Sequence, residues 1–174
     1  MSKKVIVLII SFLWIVVAVG MVSSKQYILR TGKRILLETV PVDPRDFLRG
    51  DYVILRYKIS TPDLSQIKSD KKSYNRGEDV FVKIEPRDKF WEVAGVGSKK
   101  GIYGEGVYLK GKVRYHYNQR LEINYGIESY FVPEGEGKEI ERNMRGNRTS
   151  VEVEAIVDSS GNALINKVFV NKDS

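Results

Sequence analysis

The chain begins with an uninterrupted apolar segment and continues with an alternating pattern of apolar and polar residues. Val5 to Val22 contains 18 residues and no charged side chain, and Lys3 and Lys4 lie directly before it. As a helix with a rise of about 1.5 Å per residue, this segment would be about 27 Å long, close to the roughly 30 Å hydrocarbon core of a bilayer. The pattern therefore predicts one transmembrane helix over residues 5–22.

Beyond this helix, apolar residues recur mainly at every second position, which is the period of β-strands. In Tyr52 to Ile59, the alternation places four residues on one face: Val53, Leu55, Tyr57 and Ile59. Further strands are predicted over Arg34 to Val40, Asp79 to Glu85, Phe90 to Val96, Glu105 to Tyr117, Leu121 to Tyr125, Val151 to Val157 and Ala163 to Val170.

Two features complete the predicted secondary structure. In the long strand, five residues at even spacing are expected on one face, with Gly111 as a bulge or bend: Val107, Leu109, Val113, Tyr115 and Tyr117. Short helices are predicted over Asp63 to Asp70 and Lys138 to Arg145.

These elements predict a mainly β fold of the β-rich α+β class. An N-terminal transmembrane helix precedes a twisted sheet or partly closed barrel with one or two short helices. We expect an anchor over residues 1–22, a juxtamembrane linker over 23–33, one exported domain over 34–170 and a tail over 171–174. About 150 residues are enough for one hydrophobic core.

The N-terminal segment fits an uncleaved signal anchor better than a cleaved signal peptide. Cleaved signals have an apolar core of about 7–15 residues before a small-x-small site, which Ala18-Val19-Gly20 resembles. The apolar run of 18 residues is longer than that. Basic residues flank both of its ends, so charge does not decide the orientation. Because a short head usually stays inside, we expect a single pass through the cytoplasmic (inner) membrane with an extracytoplasmic domain.

Composition excludes several kinds of site. The chain has no cysteine, which excludes thiol nucleophiles, disulfides and zinc–thiolate sites. His116 is its single histidine, so one chain cannot form a multi-histidine metal site. Residues 25–174 hold 27 Lys and Arg against 22 Asp and Glu, a net charge of +5. These charges are interspersed, so we expect weak attraction to anionic lipid and no nucleic-acid partner.

Residues 41–57, PVDPRDFLRGDYVILRY, combine turn and strand signals. Asp43 can cap a helical turn that Pro44 begins, and Gly50 can end it in a left-handed conformation. The charged residues of this segment either pair with one another and stabilise the corner or bind a partner. The candidate interaction corner comprises Asp43, Arg45, Asp46, Arg49, Gly50, Asp51, Tyr52, Leu55 and Tyr57.

A second candidate lies within residues 125–137, where aromatic and acidic residues accompany glycines. Exposed aromatic residues beside glycines suit protein contact. The candidate interaction loop comprises Tyr125, Glu128, Tyr130, Phe131 and Glu134.

Two other kinds of chemistry were weighed for these residues. Glu128 and Glu134 could perform acid–base catalysis if their surroundings separated their pKa values. With Glu136 they could also hold Ca²⁺, although the spacing matches no EF-hand loop. His116 should face away from the adjacent tyrosines on its strand, and a lone strand histidine is commonly structural. No GxSxG motif supports a serine hydrolase.

The segment Gly50-Asp51-Tyr52, followed by Leu55 and Tyr57, has the pattern GDYxxLxY, and the chain resembles the membrane-anchored family named for it. Residues 41–46 and 125–135 also resemble shared segments of that family, and the resemblance extends from about residue 27 to at least 137. The family is uncharacterised, so the resemblance implies a single anchor and an exported domain but no activity. Relatives tend to be encoded beside multi-span membrane proteins, which implies a membrane complex.

The sequence therefore favours a non-enzymatic accessory or interaction subunit of a multi-span membrane protein, held in the bilayer by residues 5–22. No catalytic residue, metal ligand or cofactor is assigned. The alternatives are an envelope hydrolase using acidic residues and a binder of a cell-envelope ligand. Type I signal peptidases are also similar in organisation, but their serine-Met-Pro box is missing. The adjacent pair Ser98-Lys99 would point to opposite faces of a strand.

Overall fold

The structure is a computed structural model that describes residues 3–40, 52–131 and 149–172. It begins with helix α1 (Lys3–Thr31), which is long and apolar enough to cross a membrane. None of its most apolar stretch is buried against the rest of the described chain. Residues 23–31, expected in a linker, continue this helix, and only Gly32 separates it from the first strand.

Ten strands follow in the described part of the chain. They are β1 (Lys33–Glu38), β2 (Tyr52–Ile54), β3 (Lys68–Ser69), β4 (Asp79–Arg87), β5 (Phe90–Gly97), β6 (Val107–Tyr117), β7 (Arg120–Asn124), β8 (Ser129–Phe131), β9 (Thr149–Val157) and β10 (Ala163–Lys172).

These strands form open sheets, and those described do not close into a barrel. One sheet has the order β1-β9-β10, a second has the order β3-β5-β4-β6-β7, and β2 pairs with β8. All pairs are antiparallel except β3 with β5. The mainly β class with an N-terminal helix is therefore confirmed, and the twisted open sheet is the form that it takes.

One apolar core joins the inner faces of the sheets. The predicted face of residues 52–59 lies in it, since Val53, Leu55, Tyr57 and Ile59 are each no more than 4% exposed. The regular strand is shorter than predicted, because β2 ends at Ile54. Beyond it, Tyr57 makes an isolated bridge to Thr39, and Lys58–Ser60 forms one 3₁₀ turn.

The predicted face of β6 is wrong at its end. The register against β7 shifts between Val113 and Tyr115, so Arg114 is an extra residue that reverses the alternation. Tyr115 and Tyr117 consequently point outward and are 53% and 72% exposed, whereas Val113 is buried. Gly111 is not the bulge, and its own role is a close approach to β7.

The predicted helix over Asp63 to Asp70 is also wrong. The Asp63 carboxylate accepts hydrogen bonds from the amide and hydroxyl of Ser65, which stabilise a turn. Such side-chain bonds to the nearby backbone compete with helix formation. The chain then enters β3, beside β5. The other predicted helix, Lys138 to Arg145, lies outside the described residues.

Gly111 leads to a test of this packing. A Cβ there would lie 3.1 Å from both the Asn124 carbonyl oxygen and the Tyr125 ring, and closer still to Ile123. We expect Gly111→Ala to lower the free energy of unfolding by about 1–3 kcal/mol, the usual cost of overpacking. Urea unfolding of the full chain in detergent, followed by near-UV circular dichroism, measures this.

The matched control is Lys112→Ala, on the same strand. Lys112 is exposed and pairs with Asp79 at 2.6 Å, so its loss should cost less than about 1 kcal/mol. Equal losses for the two variants would contradict a packing role for Gly111.

Candidate functional site

The two candidate segments meet in the ribbon formed by β2 and β8. Its register pairs Tyr52 with Phe131 and Ile54 with Ser129. The Leu55 amide extends the pairing by donating a hydrogen bond to the Glu128 carbonyl at 2.7 Å. The described parts of the predicted corner and the predicted loop are therefore adjacent in the fold, although some 70 residues of sequence separate them.

Part of the predicted site can be placed in this ribbon. The described candidates are Tyr52 (backbone only), Leu55, Tyr57, Tyr125, Glu128, Tyr130 and Phe131. Those outside the described residues are Asp43, Arg45, Asp46, Arg49, Gly50, Asp51 and Glu134.

Two buried tyrosines join the segments reciprocally. The Tyr57 hydroxyl donates to the Ile127 carbonyl at 2.5 Å, and the Tyr125 hydroxyl donates to the Ile59 carbonyl at 2.8 Å. Each segment thus supplies one donor and one acceptor. We call Tyr57, Ile59, Tyr125 and Ile127 the tyrosine clasp. Tyr57 is fully buried and Tyr125 is 6% exposed.

Electrostatics keeps both clasp hydroxyls protonated. Burial, and secondly the nearby carboxylate of Glu128, raises the pKa of Tyr57 far above its ordinary value. The same two causes raise the pKa of Tyr125. Because a neutral phenol can donate its proton, both tyrosines remain hydrogen-bond donors across the physiological pH range.

The Glu128 carboxylate organises the turn between β7 and β8. Its Oε1 accepts from the Tyr125 amide at 2.6 Å, and its Oε2 accepts from the Gly126 amide at 2.9 Å. Gly126 has a φ of +81°, a conformation that favours glycine. Both oxygens of this half-buried carboxylate are thus bound to backbone in the turn that precedes Ile127, the acceptor of Tyr57.

The ribbon presents a different set of side chains outward. Val53 and Leu55 point into the core, so the intervening side chains have the opposite orientation. Phe131 is 76% exposed and Ile54 is half-buried. We call the outward side chains of Ile54, Arg56, Ser129 and Phe131 the outer ribbon face.

Tyr115 is exposed on the outside of β6. Hydrogen bonding to Glu122 and the charge of that carboxylate raise the pKa of the Tyr115 hydroxyl, whereas the charges of Arg56 and Arg114 act to lower it. Sequence reasoning missed Ile54, Arg56 and Ser129 as site residues, although the period of two already assigned Ile54 and Arg56 to the face opposite Leu55. Tyr115 could not be found in this way, because the bulge at Arg114 placed it outside.

Among the described residues, no arrangement of side chains supports the catalytic alternatives. His116 Nδ1 accepts the Tyr74 amide at 3.3 Å, and the two rings pack edge to face. Ser98 donates its hydroxyl to Asp70 at 2.6 Å. In the part of the chain that is described, no three metal-ligating side chains come together.

The clasp can be tested by removing a single oxygen atom. Tyr57→Phe deletes the donor to a carbonyl in the buried Ile127, and we expect a loss of about 1–3 kcal/mol in the free energy of unfolding. Tyr117→Phe is the control, because that ring is 72% exposed on the outside of β6 and its loss should cost less than about 0.5 kcal/mol. Denaturant unfolding of both variants compares them, and equal midpoints would contradict the clasp.

Comparison with known proteins places the motif in its family context. A family model described as GDYXXLXY protein matches residues 14–168, which covers most of the chain. No curated protein and no solved structure matches the chain. Three motif residues are described: Tyr52 begins the ribbon, Leu55 lies in the core, and Tyr57 forms part of the clasp. By the extent of this match, the chain belongs to the GDYXXLXY protein family.

Proposed function

We propose that this protein is a non-enzymatic accessory subunit that binds the extracytoplasmic surface of a multi-span membrane protein. The observation that carries the proposal is the outer ribbon face, an exposed surface that combines Phe131 and Arg56. Aromatic residues and arginine are the side chains most enriched at binding hot spots. This face belongs to a chain whose one described helix of membrane-spanning length would keep it at the bilayer.

Rigidity supports a binding role for this surface. The ribbon is attached to the core through Val53, Leu55 and the tyrosine clasp, so its outward side chains are held before any partner arrives. A preorganised surface loses less conformational entropy on association, and this raises affinity without new contacts.

The proposal places α1 in the cytoplasmic membrane as an uncleaved signal anchor. Its N-terminus, with Lys3 and Lys4, would remain inside, and the β-domain would be exported. The apolar length of α1 supports insertion.

The orientation is tested with an enzyme that works only outside the cytoplasm. Alkaline phosphatase fused after Ser174 should be active because export allows it to fold with its disulfides. A fusion to a cytoplasmic reporter, β-galactosidase, should be inactive. An inactive phosphatase in well-expressed cells, with active β-galactosidase, would reverse the proposed topology.

The binding role is tested by capture of the tagged chain at its native level in mild detergent, with mass spectrometry of bound proteins. We expect a multi-span membrane protein in stoichiometric amount. The double change Arg56→Glu and Phe131→Ala should reduce its recovery at least tenfold, as for two hot-spot residues of more than about 1 kcal/mol each. Thermal unfolding should stay near that of the natural chain, because both side chains point outward.

Lys72→Glu provides the control, since it makes the same charge change at an exposed position away from the ribbon. Recovery of the natural chain without any membrane protein would contradict the accessory role. Equal loss with Lys72→Glu would contradict the outer ribbon face as the contact surface.

The hydrolase alternative has less support. It requires a free carboxylate, and both oxygens of Glu128 bind backbone amides. A binder of a cell-envelope ligand likewise has no described residue set that favours it over protein contact.

A further inference from the structure

The junction between α1 and the β-domain is tightly packed. The Gly32 amide donates to the Ile28 carbonyl at 2.9 Å, and β1 starts at the next residue. A Cβ at Gly32 would lie 2.7 Å from the Ile28 oxygen and 2.9 Å from the Val157 oxygen. The end of the helix therefore rests against β9, and this contact sets the direction in which the helix leaves the domain.

The same contact identifies the end of the domain that faces the bilayer. Lys33 pairs with Val157, the last residue of β9, so the β9–β10 turn (residues 158–162) lies beside the end of α1. The Lys100 ammonium donates to the Ser159 carbonyl in this turn. The loop between β5 and β6 (residues 98–106) consequently lies at the anchor end as well.

This end is basic. Its exposed cations are Arg30, Lys33, Arg34, Lys99 and Lys100. Its carboxylates are the exposed Glu105 and the half-buried Asp158 and Asp70, and Asp70 accepts hydrogen bonds from Ser98 at the start of the loop. The Asp158 side chain is occupied by hydrogen bonds from Ser160 and Asn162 within the turn. Beside the two lysines of the loop, Ile102 is 44% exposed.

Helix length sets how far this end stands from the membrane. If the hydrocarbon region ends at Val22, the nine residues 23–31 rise about 14 Å above it. The headgroup layer takes up about 5–7 Å of that distance, as half the difference between total and core thickness. The gap that remains is about one Debye length at physiological salt, so the lysines still attract an anionic surface.

From this juxtaposition we propose that the anchor end of the β-domain docks electrostatically above the bilayer surface, with Lys33, Lys99 and Lys100 facing anionic headgroups across this gap. The partner is an anionic lipid surface. Docking would hold the domain in one orientation above the membrane. The inference rests on the proposed insertion of α1, but it does not depend on a protein partner.

The absence of cysteine allows a clean test in the full chain. A fluorophore is attached at Ser160→Cys, in the turn at the anchor end, or at Gln119→Cys, in the exposed turn between β6 and β7. Each labelled chain is placed in nanodiscs of phosphatidylcholine, alone or mixed with phosphatidylglycerol. Lipids carrying a nitroxide on the headgroup report proximity through quenching.

We expect the label at position 160 to be quenched more strongly in anionic than in neutral discs, and the label at position 119 to be unaffected by lipid charge. Lys99→Gln should lower the docked population about fivefold, as expected for one lysine near an anionic surface, and high salt should act in the same direction. Arg87→Gln, at an exposed position in the β4–β5 turn at the other end of β5, should leave quenching unchanged.

Equal quenching in neutral and anionic discs, or equal quenching at both labels, would overturn the docking surface while leaving the anchor intact. Failure of the chain to enter discs would instead overturn insertion of α1, and with it both proposals. Loss of the lipid dependence in Arg87→Gln would assign that dependence to overall charge and overturn the role of the loop.

Discussion

The reciprocal hydrogen bonds of Tyr57 and Tyr125 join two distant segments of this β-domain. Each hydroxyl reaches a backbone carbonyl of the other segment, at 2.5 Å and 2.8 Å. A hydrogen bond of this kind contributes only about 1 kcal/mol net, but leaving its buried acceptor without a donor costs more. The clasp therefore favours the pairing of these two segments over other pairings and also contributes to the stability of the fold. The ribbon, its outward face and the turn capped by Glu128 all depend on that pairing.

Among the described motif residues, Leu55 and Tyr57 have a structural role. Leu55 and Tyr57 are buried, and a partner cannot reach them directly. They affect the outer ribbon face indirectly. Successive side chains of an extended segment point to opposite faces, so an inward Leu55 places Arg56 outward. Substitution of a buried motif residue would therefore disturb folding first, whereas substitution on the outer ribbon face would leave the core unchanged. The two kinds of variant separate structure from binding.

Local patterns predicted much of this fold. The period of two placed Val53, Leu55, Tyr57 and Ile59 in the core, and the apolar run predicted α1. The patterns failed where a long-range or side-chain effect intervened. Arg114 forms a bulge because no residue of β7 pairs with it, and this depends on the pairing of the two strands. Asp63 favours a turn because its carboxylate accepts a hydrogen bond from Ser65. The candidate site was predicted as two separate segments, and their union was not foreseen.

The sequence by itself determined the long apolar N-terminal helix, the strand-dominated class, the inward residues of most strands and the lack of thiol chemistry, because these follow from composition and local periodicity. Tertiary structure decided that β2 pairs with β8, that the Tyr57 hydroxyl bonds to Ile127 and that α1 abuts β9 at Gly32. Each of these contacts joins residues far apart in the chain. These contacts form because packing and hydrogen bonds between distant segments lower the free energy of the fold. A local sequence pattern contains no information about such contacts.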